Sequence, residues 1–219
     1  MTEIQLKIEE IKKLLSDRVE HFKYSRRAKI PFKVHSYIQT MNLRMADFYE
    51  ATDLLINSNH IIPSLTLIRT IFENVASTYR ISSAIDNSIK SNKLTEDFDD
   101  LITKISFGTR YESDVKAINI MTNLDQLDKE FNGIRKIYED LCEFVHPNSD
   151  GVEGSYSELN EQNGYTDIFK VITKEHSVFD FFVTCSLICM DFYIECSKSI
   201  LSNLPSFTIL CETELTENG

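Results

Sequence analysis

Arg69 and Glu73 stand four residues apart in the segment Leu67–Asn74. That spacing puts both on one face of a helix. Their neighbours Ile68, Ile71 and Phe72 are apolar, so the pair is expected to be partly buried. A buried ion pair is costly unless further hydrogen bonds complete it. It therefore either ties this helix to its neighbours or serves chemistry. A second chemical segment runs from Tyr138 to Asn148 and contains Glu139, Cys142 and His146 on one helix face. His146 falls at the end of a helix stopped by Pro147. One role for it is to hydrogen-bond the last carbonyls of that helix. Another is catalysis with an Arg from a different helix. Arg135 is eleven residues upstream, about 16 Å at 1.5 Å per residue, so it cannot act on the same atom. Arg69 is the candidate, because antiparallel helices can bring it beside His146. Such a pair would stabilise a phosphate and assist proton transfer in 2′-OH attack. Glu73 would orient either partner. Tyr138 and Asn148 are candidate ligand-binding residues on the same segment.

Other catalytic signatures are absent. There is no GxSxG, no glycine-rich phosphate loop, no HExxH and no dinucleotide fingerprint. Asn148–Gly151 resembles part of a calcium loop but lacks the twelve-residue frame of acids. His21 and His60 read as surface residues, and His176 as part of a helix cap. The five cysteines, Cys142, Cys185, Cys189, Cys196 and Cys211, form no CxxC and sit beside no His. They predict neither a disulfide frame nor a metal site. Cys185, Cys189 and Cys196 share a helix face and read as small core hydrophobes. No cofactor and no metal are expected.

The elements that must position these residues read as helices. The chain has 219 residues with only six Gly and four Pro, too few turn residues for a sandwich or an α/β fold. Ile4, Ile8, Ile11, Leu15, Val19 and Phe22 predict a helix over 3–23. A second is expected over about 32–57, and a third from about Ile62 to Ser82 or beyond, with Pro63 in its first turn. Residues 83–95 are polar and weakly patterned. The acids after Thr95 predict a short helix ending near Phe107, before Gly108. Ser113 is placed to cap another through Met121. One long helix is expected over 124–145. Residues 147–164 read as a loop, and 165–173 as a short strand, an extended link or an early helix turn. The last helix is expected over 175–204, stopped by Pro205 and central to the bundle. One helical domain over 1–205, with a tail over 206–219, is the economical organisation.

Charge is uneven. Residues 1–50 carry ten Lys/Arg against seven Asp/Glu, and residues 139–219 three against fifteen, in a chain of net charge −11. An acidic surface repels double-stranded nucleic acid. Lys23, Arg26, Arg27, Lys29 and Lys33 form a local basic patch, most simply a solvated loop. Asp180 and Asp191 interrupt the most apolar stretch, so no membrane span is expected. The thiols and the N-terminus predict a cytoplasmic protein.

An Arg-x-x-x-Glu helix followed by a helix ending in Phe-Val-His-Pro-Asn resembles HEPN-type domains, over roughly residues 33–148. The likeness is to an uncharacterised bacterial branch of such helical proteins. It implies a helical bundle, often a homodimer. Many HEPN domains are metal-independent ribonucleases of toxin–antitoxin, CRISPR or phage-defence systems. Their active motif is an Arg four to six residues before a His on one helix. Here those positions before His146 hold Cys142, Leu141 and Asp140, with Glu139 one residue further, so the usual motif is missing. His35 lies too far after Arg26 and Arg27, and His21 too close after Arg18.

The expectation is thus an all-α bundle of about five to seven helices, HEPN-like and dimeric. Its expected role is to bind a partner protein or a nucleotide-containing ligand in a bacterial defence or stress response, with little or no catalysis. The rivals are a ribonuclease using Arg69 and His146, the one case in which RNA would be a partner, and an adaptor whose acidic half docks a basic protein.

Overall fold

A computed structural model describes residues 2–95, 97–109, 111 and 114–217. Among the described residues there are eight α-helices and one two-stranded sheet, so the protein is a mostly helical bundle. The helices are α1 (Glu3–Lys12), α2 (Ile30–Asn57), α3 (Ile61–Ser91), α4 (Phe98–Phe107), α5 (Ile120–Glu130), α6 (Ile134–Val145), the single turn α7 (Gly154–Tyr156) and α8 (Ser177–Glu217).

The apolar stripes explain where each helix packs. Ile8 and Ile11 of α1 are buried. The stripe continues through Leu15 and Val19, yet α1 stops at Lys12. Gln39 of α2 intervenes: its side chain accepts from the Ser16 N–H at 2.7 Å and donates to the Leu14 carbonyl at 3.1 Å. Those bonds replace the next helical turn. In α3 the reverse happens. The polar stretch after Ser82 stays helical because Ile81 and Ile85 remain fully buried. The helix ends at Asn92, whose φ of 50° is left-handed, a conformation Asn tolerates better than most residues.

The helix expected over 124–145 is two. Phe131–Gly133 breaks the run, and Gly133 takes φ 101°, open to glycine at little cost. Asp128 holds the corner by accepting from the Gly133 N–H at 2.9 Å and the Arg135 N–H at 3.0 Å. The expected Ser113 cap lies outside the described residues. Asn119 caps α5 instead, accepting from the Met121 N–H at 3.1 Å.

Beyond Val145 the chain is more ordered than its polar composition suggests. A π-helical turn, Ser149–Glu153, follows Pro147. Then β1 (Ser157–Asn160) pairs antiparallel with β2 (Tyr165–Ile168), Ser157 opposite Ile168 and Asn160 opposite Tyr165. Lys170 and Lys174 donate to the Asn59 and Asn57 carbonyls at the end of α2, where cations suit the helix dipole.

α8 packs chiefly against α3 and α2 and passes through both main apolar clusters. Phe182, Met190, Tyr193 and Ile194 join α1, α2, α3, α5 and α6 in the first. Ile200, Leu204, Phe207 and Cys211 join α2, α3 and α4 in the second. Pro205 does not stop this helix, which continues to Glu217. A proline inside a helix costs about 3 kcal/mol. Burial of Phe207, fully out of water with its ring 4.8 Å from that of Phe98, offsets that cost, since an aromatic core side chain contributes roughly 1.5–3 kcal/mol. By length and composition alone α8 is also apolar enough to cross a membrane, its two aspartates notwithstanding; 39% of its most apolar window is buried against the rest of the chain.

Polar staples fix register inside the bundle. Asn42 of α2 accepts from Tyr193 at 2.7 Å and Ser197 at 2.8 Å on α8. The Tyr49 hydroxyl donates to the Ser186 carbonyl at 2.9 Å.

Candidate functional site

Arg69 and Glu73 sit in the N-terminal half of α3, facing α6. Their side chains are 27% and 25% exposed and lie 3.3 Å apart. The sequence spacing is therefore realised as a half-buried ion pair. The residue that completes it is Tyr138. Its hydroxyl donates to Glu73 Oε1 at 2.7 Å and accepts from Arg69 Nη2 at 2.8 Å. The guanidinium also lies 5.2 Å from the Tyr138 ring centroid. Burial, then the carboxylate of Glu73, pushes the Tyr138 hydroxyl well above its usual range, and Arg69 opposes this only in part. The hydroxyl stays protonated and remains a donor to Glu73. Arg69 Nε is buried without a hydrogen-bond partner.

The cluster is the top of a polar seam that the sequence reading missed. Below it on α3, the Arg80 guanidinium donates to Asn123 Oδ1 at 2.9 Å, and Asn123 Nδ2 donates to the Ser77 hydroxyl at 3.1 Å. The Tyr79 hydroxyl reaches Glu130 at 3.5 Å. Arg69, Glu73, Ser77 and Arg80 recur at four, four and three residues. That spacing was the available signal for a polar stripe facing α5 and α6.

The structure groups Arg69, Glu73 and Tyr138. His146 follows Tyr138 by eight residues, roughly 12 Å along a helix. It is exposed and caps α6 through its backbone N–H, 3.0 Å from the Cys142 carbonyl. Among the described residues no hydrogen bond or ion pair joins it to Arg69. Asn148 serves the turn beyond. Its side chain accepts from the Gly151 N–H at 3.0 Å and donates to Glu143 at 2.5 Å. Gly151 lies against the carbonyls of Glu143, Phe144 and His146, where a Cβ has no room.

Next to this end of α6 is a groove of about 420 Å³ between α6 and α8. Asp140, Glu143 and Asp150 form its acidic wall, with Phe144, Val178 and Phe181 as its apolar side. Asp140 pairs with Lys136. Among the described residues no three His, Cys, Asp or Glu side chains converge to hold a metal. No family model, no curated protein and no solved structure matches the chain.

Proposed function

We propose that this chain is a HEPN-like helical bundle that works by binding a partner protein rather than by cleaving RNA. The observation that carries this reading is the closed Arg69–Tyr138–Glu73 cluster. A guanidinium that stabilises a scissile phosphate must offer its donors outward. Here Arg69 Nη2 engages both Tyr138 and Glu73 on the protein itself, and His146 follows Tyr138 by about two helical turns. The bacterial defence or stress-response setting rests on the family resemblance of residues 33–148. The acidic adaptor reading gains support from the groove between α6 and α8. Its carboxylates beside Phe144 and Phe181 suit a segment that carries Lys or Arg next to an apolar side chain. Leu43 and Leu54, both exposed on α2 and eleven residues apart, suit the homodimer that the resemblance implies.

The test has two arms. A synthetic Lys/Leu peptide titrated by fluorescence anisotropy should bind, weaken as salt rises, and weaken at least fivefold with Asp140→Lys and Asp150→Lys together. Purified protein should leave single-stranded RNA intact. RNA cleavage that disappears in both Arg69→Ala and His146→Ala would establish the ribonuclease reading instead.

A further inference from the structure

A second site lies at the far end of the bundle, where α2 begins and α8 ends. It is a cavity of about 680 Å³ lined by the turn before α2, the α3–α4 link and the last turns of α8. That volume is in the range of small-molecule sites. It is separate from the Arg69 cluster, since Arg69 and Ser91 at the end of α3 are about 33 Å apart at 1.5 Å per residue.

The lining divides by chemistry. Ala28, Ile30, Leu94, Cys211 and Leu215 give it an aliphatic floor. Burial pushes the Cys211 thiol up to about 12, so it stays neutral and belongs to that floor. Four cations stand around it, Arg27, Lys29, Lys33 and Lys93, against two acids, Asp99 and Glu214. The acids are already engaged. Asp99 accepts from Lys33 at 2.6 Å, and Glu214 accepts from the Leu94 N–H at 3.1 Å. Among the described residues, Arg27, Lys29 and Lys93 have no ion-pair partner. The backbone that presents Arg27 and Lys29 is fixed. The Ser25 hydroxyl accepts from the Arg27 and Ala28 N–H groups at 3.0 and 2.8 Å. The basic patch of the sequence is thus not only a solvated loop; part of it rims a cavity.

In a chain of net charge −11, three uncommitted cations around an apolar hollow call for an anion. Among the described residues no aromatic ring lines the cavity, so none of them stacks a nucleobase there. We infer that this cavity binds a small amphipathic anion, with its carboxylate or phosphate head among Arg27, Lys29 and Lys93 and an aliphatic body against Ile30, Leu94 and Leu215.

Calorimetric titration of the full chain with decanoate, decyl phosphate, decanol, AMP and inorganic phosphate tests this, each alkyl compound below its micellar concentration. The expected result is saturable one-to-one binding of decanoate, decyl phosphate or both, with decanol, AMP and phosphate at least tenfold weaker. The tighter of the two alkyl anions identifies the head group. Arg27→Ala, Lys29→Ala and Lys93→Ala together should weaken binding at least tenfold. Leu215→Trp, at a position 46% exposed, should block the hollow without disturbing the core, with far-UV circular dichroism reporting the fold of both variants. Three results would overturn the proposal: no binding of either alkyl anion, binding that both variants leave unchanged, or AMP or decanol binding as tightly as the alkyl anions.

Discussion

Tyr138→Phe removes one oxygen and two hydrogen bonds from the Arg69–Glu73 pair. A net loss of about 1–2 kcal/mol in unfolding free energy is expected, read as a lower urea midpoint with unchanged slope. Glu73→Leu alone should cost more than Arg69→Met and Glu73→Leu together, because the single change strands a half-buried guanidinium. Equal costs would mean that solvent already screens the pair. His35 supplies a second residue-scale expectation. It is 3% exposed, and burial, helped by the charge of Lys23, lowers its pKa. The unfolded chain then takes up a proton below about 6.5 that the folded chain refuses. Stability should therefore fall as pH drops from 7 through that value. His35→Gln should flatten the decline between pH 7 and 5, followed by urea titration at each pH. The ion pair was legible at this scale because its i, i+4 spacing is local. Tyr138 was legible as a candidate ligand-binding residue but not as the bridge, because 65 residues separate it from Glu73.

Element boundaries were readable where local chemistry sets them. Pro147 follows the last turn of α6 and Gly108 follows α4, at the two stops expected from the sequence. They were unreadable where distant contacts decide. The α1 stripe continues past Lys12, but a side chain from α2 takes its backbone bonds. The 124–145 stripe runs on in phase across Gly133, so periodicity could not register the corner. Pro205 reads locally as a stop, and only the second apolar cluster explains why α8 passes through it. Pro205→Ala should therefore stabilise the protein, by about 1–3 kcal/mol, since it restores a donor to the Leu201 carbonyl. Differential scanning calorimetry measures this as a higher Tm. A lower Tm would show that the proline sets a bend the second cluster needs.

At the scale of the molecule, α8 makes two clusters into one folding unit. Phe207→Ala should cost roughly 3–5 kcal/mol. The loss should also be felt far from Phe207, in faster hydrogen exchange of α1 amides that pack on the first cluster. Protection of α1 that stays unchanged would mean the clusters unfold separately. The mostly helical class was plain from composition and periodicity, but the β1–β2 hairpin was not. Neither the 680 Å³ cavity nor the partners of the seam on α3 were plain, because the cavity joins residues near both ends of the chain and the seam joins residues 43 to 69 positions apart.

The position of α8 in the chain order has a consequence for synthesis. Every partner of its 41 residues leaves the ribosome before it does. At about 5–20 residues per second, roughly 2–8 s pass while α8 is being made. Through that interval α2 and α3 still show water the parts of both clusters that α8 will cover, faces open to chaperones until it docks.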